Sequence, residues 1–93
     1  MNLIDPRAVP TRRQSASLSR LSPIEGVMVA FDAGVYARLN ESAMLVWDLI
    51  DGRRAVTDIA SCLAQRFVLS AGVALDDTRE CLDRLMELQV IDV

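Results

Sequence analysis

Two hydrophobic rhythms run along this chain, and the change from one to the other falls near residue 40. Before it, apolar residues alternate or cluster in short β-branched runs; after it they recur at helical spacing. Val27-Met28-Val29-Ala30-Phe31 and Val35-Tyr36-Ala37-Arg38-Leu39 are two strand-like runs joined by Asp32-Ala33-Gly34. A three-residue loop containing glycine between such runs predicts a β-hairpin, with Gly34 free to take positive φ. In the return strand Val35, Ala37 and Leu39 share one face and Tyr36 and Arg38 the other, so the apolar triplet is expected to face the core. Residues 17–25 alternate in part, with Leu18 and Leu21 apolar, and predict a short first strand broken by Pro23.

The second half predicts three helices. Asn40 is suited to cap the first, and Glu41 follows at the positive end of the helix dipole. Ala43, Met44, Trp47 and Ile50 keep helical spacing, and Gly52 suits the left-handed position past the end. That gives a helix of about 11 residues. Thr57 is the expected cap of a second helix with Asp58 in its first turn and Ile59, Ala60, Leu63 and Phe67 as its buried stripe. Residues 68–73, which include Gly72, form a link. The third helix is expected from about Leu75 to Gln89, with Leu82, Leu85, Met86 and Gln89 on one stripe and Thr78, Cys81 and Leu88 beside it. This apolar sector is wider than a helix needs to cover one core. Val90-Ile91 is expected to pack back or add a short strand. The order β-β-β-α-α-α gives an α+β, winged helix-turn-helix-like domain over residues 17–93, a three-stranded antiparallel sheet followed by three helices. Residues 1–16 hold two of the three prolines and three arginines without a sustained period, and read as a flexible N-terminal arm.

Composition narrows the chemistry. A chain of 93 residues builds one core, and 52% hydrophobic residues are enough to fill it. No apolar run reaches the roughly 18–20 residues of a membrane span. The N-terminus lacks the apolar stretch of a signal peptide, so a cytoplasmic location is expected. All ten basic residues are arginine, and histidine is absent. Without histidine the usual general base is missing, which removes Ser-His and Cys-His catalysis. Two cysteines, Cys62 and Cys81, do not make a zinc site and are expected to stay reduced. No glycine-rich phosphate loop occurs. The expectation is therefore a non-catalytic chain with no metal and no cofactor.

The order of local motifs resembles the PqqD family, small proteins grouped as RiPP recognition elements. That family shows a hairpin ending in an aromatic, then Leu-Asn-Glu, a helix with a tryptophan, and Asp-Gly before the second helix. Here these are Tyr36, Leu39-Asn40-Glu41, Trp47 and Asp51-Gly52. Val56-Thr57-Asp58-Ile59-Ala60 matches the family's Val-x-x-Ile-Ala, and Asp77, Leu82 and Leu85 match its third helix. The glycine near the end of that helix is Gln89 here, which sets a residue ill suited to left-handed geometry at the terminus. The resemblance covers about residues 17–93.

The resemblance implies a leader-peptide chaperone. Such a protein binds the leader of a ribosomally synthesised precursor peptide by β-strand addition and presents it to a modifying enzyme, such as a radical SAM enzyme or a leader peptidase. Carried over, the pairing edge is Val35, Tyr36, Ala37 and Arg38, and the wall is Asp77, Cys81, Arg84, Leu85 and Leu88. The residues agree independently: Val35–Leu39 has no proline and one charge to block pairing. The N-terminal arm and the first helix are the candidate surfaces for the enzyme. A monomer or weak homodimer is expected, with no nucleic-acid or membrane partner. Two alternatives stand beside it. A self-associating adaptor would use the same edge without a peptide. A winged-helix DNA-binding protein is disfavoured, because Asp76, Asp77, Glu80, Asp83 and Glu87 outnumber Arg79 and Arg84 on the third helix and the whole chain is net −3.

Overall fold

A computed structural model describes residues 4–31 and 34–93. The elements run β1 (Thr11–Arg12), β2 (Ala16–Ser22), β3 (Glu25–Ala30), β4 (Val35–Asn40), α1 (Glu41–Leu49), α2 (Val56–Phe67), α3 (Ala71–Glu87) and β5 (Ile91–Asp92). β2, β3 and β4 form an antiparallel sheet in that order, so among the described residues β4 has a neighbour on one side only. The three helices follow it in sequence, which is the expected α+β architecture. Asp32 and Ala33 of the expected turn lie outside the described residues; Gly34 takes φ 64.

The sheet buries one face because its side chains alternate. Met28, Ala30 and Leu39 point at the helices and are buried, while Tyr36 and Arg38 emerge on the far face. Gly26 keeps this inner face close to α1. A Cβ there would lie 2.7 Å from Met44 Sδ and 2.9 Å from Leu18 Cδ1. Met44, Val46 and Trp47 of α1 meet Ile59 and Leu63 of α2 and Leu82 and Leu85 of α3 in one core. Among the described residues no single helix is long and apolar enough to cross a membrane.

Caps set the helix ends, and several differ from expectation: α1 stops at Leu49, short of about 11 residues, and α3 at Glu87. Asn40 caps α1 as expected, its Oδ1 accepting the Ala43 N–H at 2.9 Å. α2 starts at Val56, not after Thr57, because two of its first N–H groups already have acceptors. Val56 N–H donates to the Ala8 carbonyl and Thr57 N–H to the Pro6 carbonyl. The Asp58 carboxylate then reaches back to the Ala55 N–H at 2.9 Å. α3 begins at Ala71, four residues earlier than Leu75. Ser70 caps it by accepting the Val73 N–H, so Gly72 sits in the first turn, where its flexibility costs least.

Residues set apart in the sequence as an arm lie against the body over 4–16. β1 pairs antiparallel with β5, which also realises the strand expected at Val90-Ile91. Ile4 is buried, and its carbonyl accepts from Arg79 Nε at 3.1 Å. The Arg12 guanidinium lies 4.5 Å from the Trp47 ring centroid and donates to the Trp47 carbonyl. Ala16 belongs to β2.

Among the described residues two that are not glycine hold left-handed backbone. Gln89 has φ 61, so the residue that replaces the family's glycine adopts the glycine conformation. It is held there by Gln89 N–H to the Met86 carbonyl and Val90 N–H to the Leu85 carbonyl. Val68 has φ 55 at the end of α2 and is 91% exposed, so strain is not offset by burial of its side chain. Val68→Gly is therefore expected to stabilise the fold by roughly 0.5–1 kcal/mol after glycine's larger unfolded-state entropy is deducted. In thermal melts that is a rise of about 2–8 °C; an unchanged or lower Tm would show that Val68 carries no strain.

Candidate functional site

The free edge of β4 has a definite hydrogen-bonding parity. Phe31 N–H donates to the Ser15 carbonyl at 3.1 Å, continuing the β2–β3 ladder past Ala16↔Ala30. Bonding alternates along an antiparallel pair, so Val27 and Val29 bond β2 while Gly26, Met28 and Ala30 bond β4. Their partners Leu39, Ala37 and Val35 turn their backbone groups inward to β3. Tyr36 and Arg38 must then turn N–H and C=O outward. An independent contact agrees: Arg84 Nη2 of α3 donates to the Arg38 carbonyl at 3.2 Å.

α3 stands beside this edge and makes a groove with it. A cleft of about 460 Å³ opens between Leu39-Asn40 and the start of α1 on one side and Asp77, Glu80, Cys81, Arg84 and Leu85 on the other. A second cleft of about 500 Å³ continues past Arg84 to Ile24, Glu25 and Arg38. The two share Leu39, Asn40 and Arg84. Asp77 and Glu80 outnumber Arg84 along the first cleft, whereas Arg38 and Arg84 outnumber Glu25 along the second. At the second end Arg38 also pairs with Glu25 at 3.4 Å.

The residues expected from sequence divide by role. Tyr36 is 77% exposed on the edge strand, with Arg38 exposed and Ala37 half-buried beside it. Asp77, Cys81, Arg84 and Leu85 all line the first cleft. Leu85 does so only as its floor, for it is 0% exposed and belongs to the core. Leu88 packs half-buried against the core and lines neither cleft. The Val35 side chain lies outside the described residues. Sequence reasoning missed Glu80, Ser42 and Ala43 in the first cleft and Ile24 and Glu25 in the second. The helical period puts Glu80 one turn from Arg84 and so offered a signal; only tertiary placement brings Ile24 there.

The groove has the chemistry of a binding surface. Cys81 is its one sulfur nucleophile among the described residues, and burial pushes that thiol up to about 11. A buried, protonated thiol is a poor nucleophile at neutral pH. Alkylation of Cys81 by iodoacetamide at pH 8 is expected to run about 100-fold slower than for an ordinary thiol, the two-unit difference from 9.0. The rate should climb until about pH 11, as followed by mass spectrometry; a plateau near pH 9 would contradict this. Among the described residues no three His, Cys, Asp or Glu side chains stand together as a metal site.

Comparison with known proteins identifies the family. The family model for coenzyme PQQ synthesis protein D (PqqD) matches residues 25–91. A relative from Kluyvera intermedia, the PqqA binding protein, is 30% identical over 79 residues, covering 85% of this chain and 84% of that protein. Three solved structures share the fold. TbiB1 in complex with the TbiA(beta) leader peptide superposes with a TM-score of 0.77 at 15% identity, covering 88% of this chain and 94% of that one. Lasso peptide synthetase B1 complexed with its leader peptide gives 0.76 at 20% identity, covering 92% of this chain and all, 100%, of that one. The PqqD truncation of Methylobacterium extorquens PqqCD, a stand-alone RiPP recognition element, gives 0.73 at 24% identity over 97% and 100%. The matched residues 25–91 contain β3, β4, all three helices and thus both walls of the groove, and the protein belongs to the PqqD family.

Proposed function

We propose that this protein binds the leader segment of a ribosomally synthesised precursor peptide as an added strand on β4 and hands it to a peptide-modifying enzyme. The observation that carries this reading is the outward N–H and C=O of Tyr36 and Arg38, with Arg38 bordering an open groove between the end of β4 and α3. Main-chain bonds to those groups give affinity, and side chains alternating into the groove give register. The family supports the reading, as do the leader peptides named with TbiB1 and with lasso peptide synthetase B1.

In this role the protein is a binding module and not a catalyst. It works without a cofactor, as a monomer or weak homodimer in the cytoplasm, and its partner is a peptide-modifying enzyme such as a radical SAM enzyme or a leader peptidase. The acidic face of α3 disfavours nucleic acid.

Calorimetric titration with the synthetic leader of a short precursor peptide encoded beside the gene tests the proposal. A Kd on the order of micromolar or below, about −8 kcal/mol or better, is expected. The same leader with its sequence scrambled should bind at least tenfold more weakly. Equal affinity for both would reject sequence-specific leader recognition.

A further inference from the structure

We infer that Arg84 is a displaceable latch on the β4 edge, and that the preferred leader carries an aspartate or glutamate at the residue lying against Leu39, whose side chain faces α3. The inference rests on the strand-addition reading above and names the chemistry of its ligand.

Arg84 occupies the acceptor that a pairing strand needs. Its Nη2 lies 3.2 Å from the Arg38 carbonyl, one of the outward groups of the edge. The carbonyl has a second lone pair, so what an incoming strand and the guanidinium compete for is the space beside it. The side chain also lies across the groove, since it lines both clefts. A strand running the length of β4 has to pass it. In the free protein this contact covers one of the bare backbone groups through which exposed edges associate.

The displaced guanidinium needs a new partner. Among the described residues Arg84 forms no ion pair, whereas the neighbouring Arg38 already pairs with Glu25. A carboxylate on the incoming strand opposite Leu39 replaces a neutral acceptor with a charged one, which arginine engages in a forked pair. The same carboxylate is excluded from the other end of the groove, where Asp77 and Glu80 line the wall. The charge gradient along the groove therefore reads the position of an acidic residue as well as its presence.

The test pairs variants of protein and peptide. The synthetic leader of the adjacent precursor is prepared with each Asp or Glu changed in turn to Asn or Gln, and titrated into wild type, Arg84→Gln and Arg84→Lys. Amide shifts of Tyr36 and Arg38 are recorded throughout. One carboxylate is expected to matter, its loss weakening wild type roughly five- to tenfold. That sensitivity should vanish in Arg84→Gln, survive in part in Arg84→Lys, and shrink as salt is raised. Tyr36 and Arg38 should shift in all three proteins, which also shows that the variants fold. If they shift but no carboxylate is sensitive, or the sensitivity persists in Arg84→Gln, the latch is overturned while strand addition stands. If they do not shift even in wild type, strand addition fails and the latch falls with it.

Discussion

Leu85→Asp is expected to unfold the protein rather than to empty its groove. The sequence set Leu85 on the wide apolar sector of the last helix, where it read as a contact for the leader. In the structure it is 0% exposed, with its side chain in the cluster of Met44, Trp47, Ile59, Leu63 and Leu82. An aspartate there has no buried partner, and burying an unpaired carboxyl costs several kcal/mol, on top of about 2–5 kcal/mol of lost packing. A domain of this size has about 5–15 kcal/mol in total. Far-ultraviolet circular dichroism should show loss of most helix signal at 25 °C. A folded Leu85→Asp with native melting would mean that α3 turns a different face to the core.

Tyr36→Pro is expected to do the opposite, abolishing leader binding in a protein that stays folded. Proline at this position removes an N–H that faces away from β3, so no ladder bond is lost. The preceding residue, Val35, is already in a strand, as a residue before proline prefers. For the leader the change removes one main-chain bond, worth about 0.5–1.5 kcal/mol, and puts a ring where the added strand must approach. A loss of at least tenfold in Kd, about 1.4 kcal/mol, is expected by calorimetry, with helix content unchanged. Val35→Pro is the informative contrast. Val35 turns inward and pairs with Ala30, so proline there breaks the hairpin itself and should lower Tm along with affinity. Full affinity in Tyr36→Pro would mean the leader binds without using this edge.

The contrast between Leu85 and Tyr36 indicates what was legible in the sequence. Strand alternation and helical spacing are local, and they gave the hairpin, the β4 faces and the three helices in order. The Asn40 cap was legible for the same reason; Gly52 does hold φ 77, but three residues beyond Leu49, where α1 ends on an extended Ile50, and so it does not cap the helix. What was lost depends on partners far away in the chain. Thr57 looked like a cap because serine, threonine, asparagine and aspartate usually serve, yet carbonyls of Pro6 and Ala8 do the work of satisfying α2. The N-terminal segment carries no period because it runs as short strand and turns along helices, and its bonds to β5, Arg79 and Trp47 are set by tertiary placement. α3 began early because Ser70 caps a first turn that contains glycine, a residue that usually signals a loop.

The groove was half legible. Asp77, Cys81 and Arg84 fall on one helical face by spacing alone, and the structure sets them together along the first cleft. The parity of β4 was not legible. Side-chain alternation says which residues face the core, but which backbone groups face outward follows from how β3 is shared between β2 and β4.

An amide NMR titration of the protein with the leader of the adjacent precursor tests strand addition most directly. Shifts concentrated in Tyr36 and Arg38 of β4 and in Asp77, Cys81 and Arg84 of α3 are expected, with Ala37 and Leu39 moving less because their N–H groups stay bonded to β3. Saturable binding with those residues silent, or with shifts gathered on the β2 edge instead, would contradict the assignment of the groove.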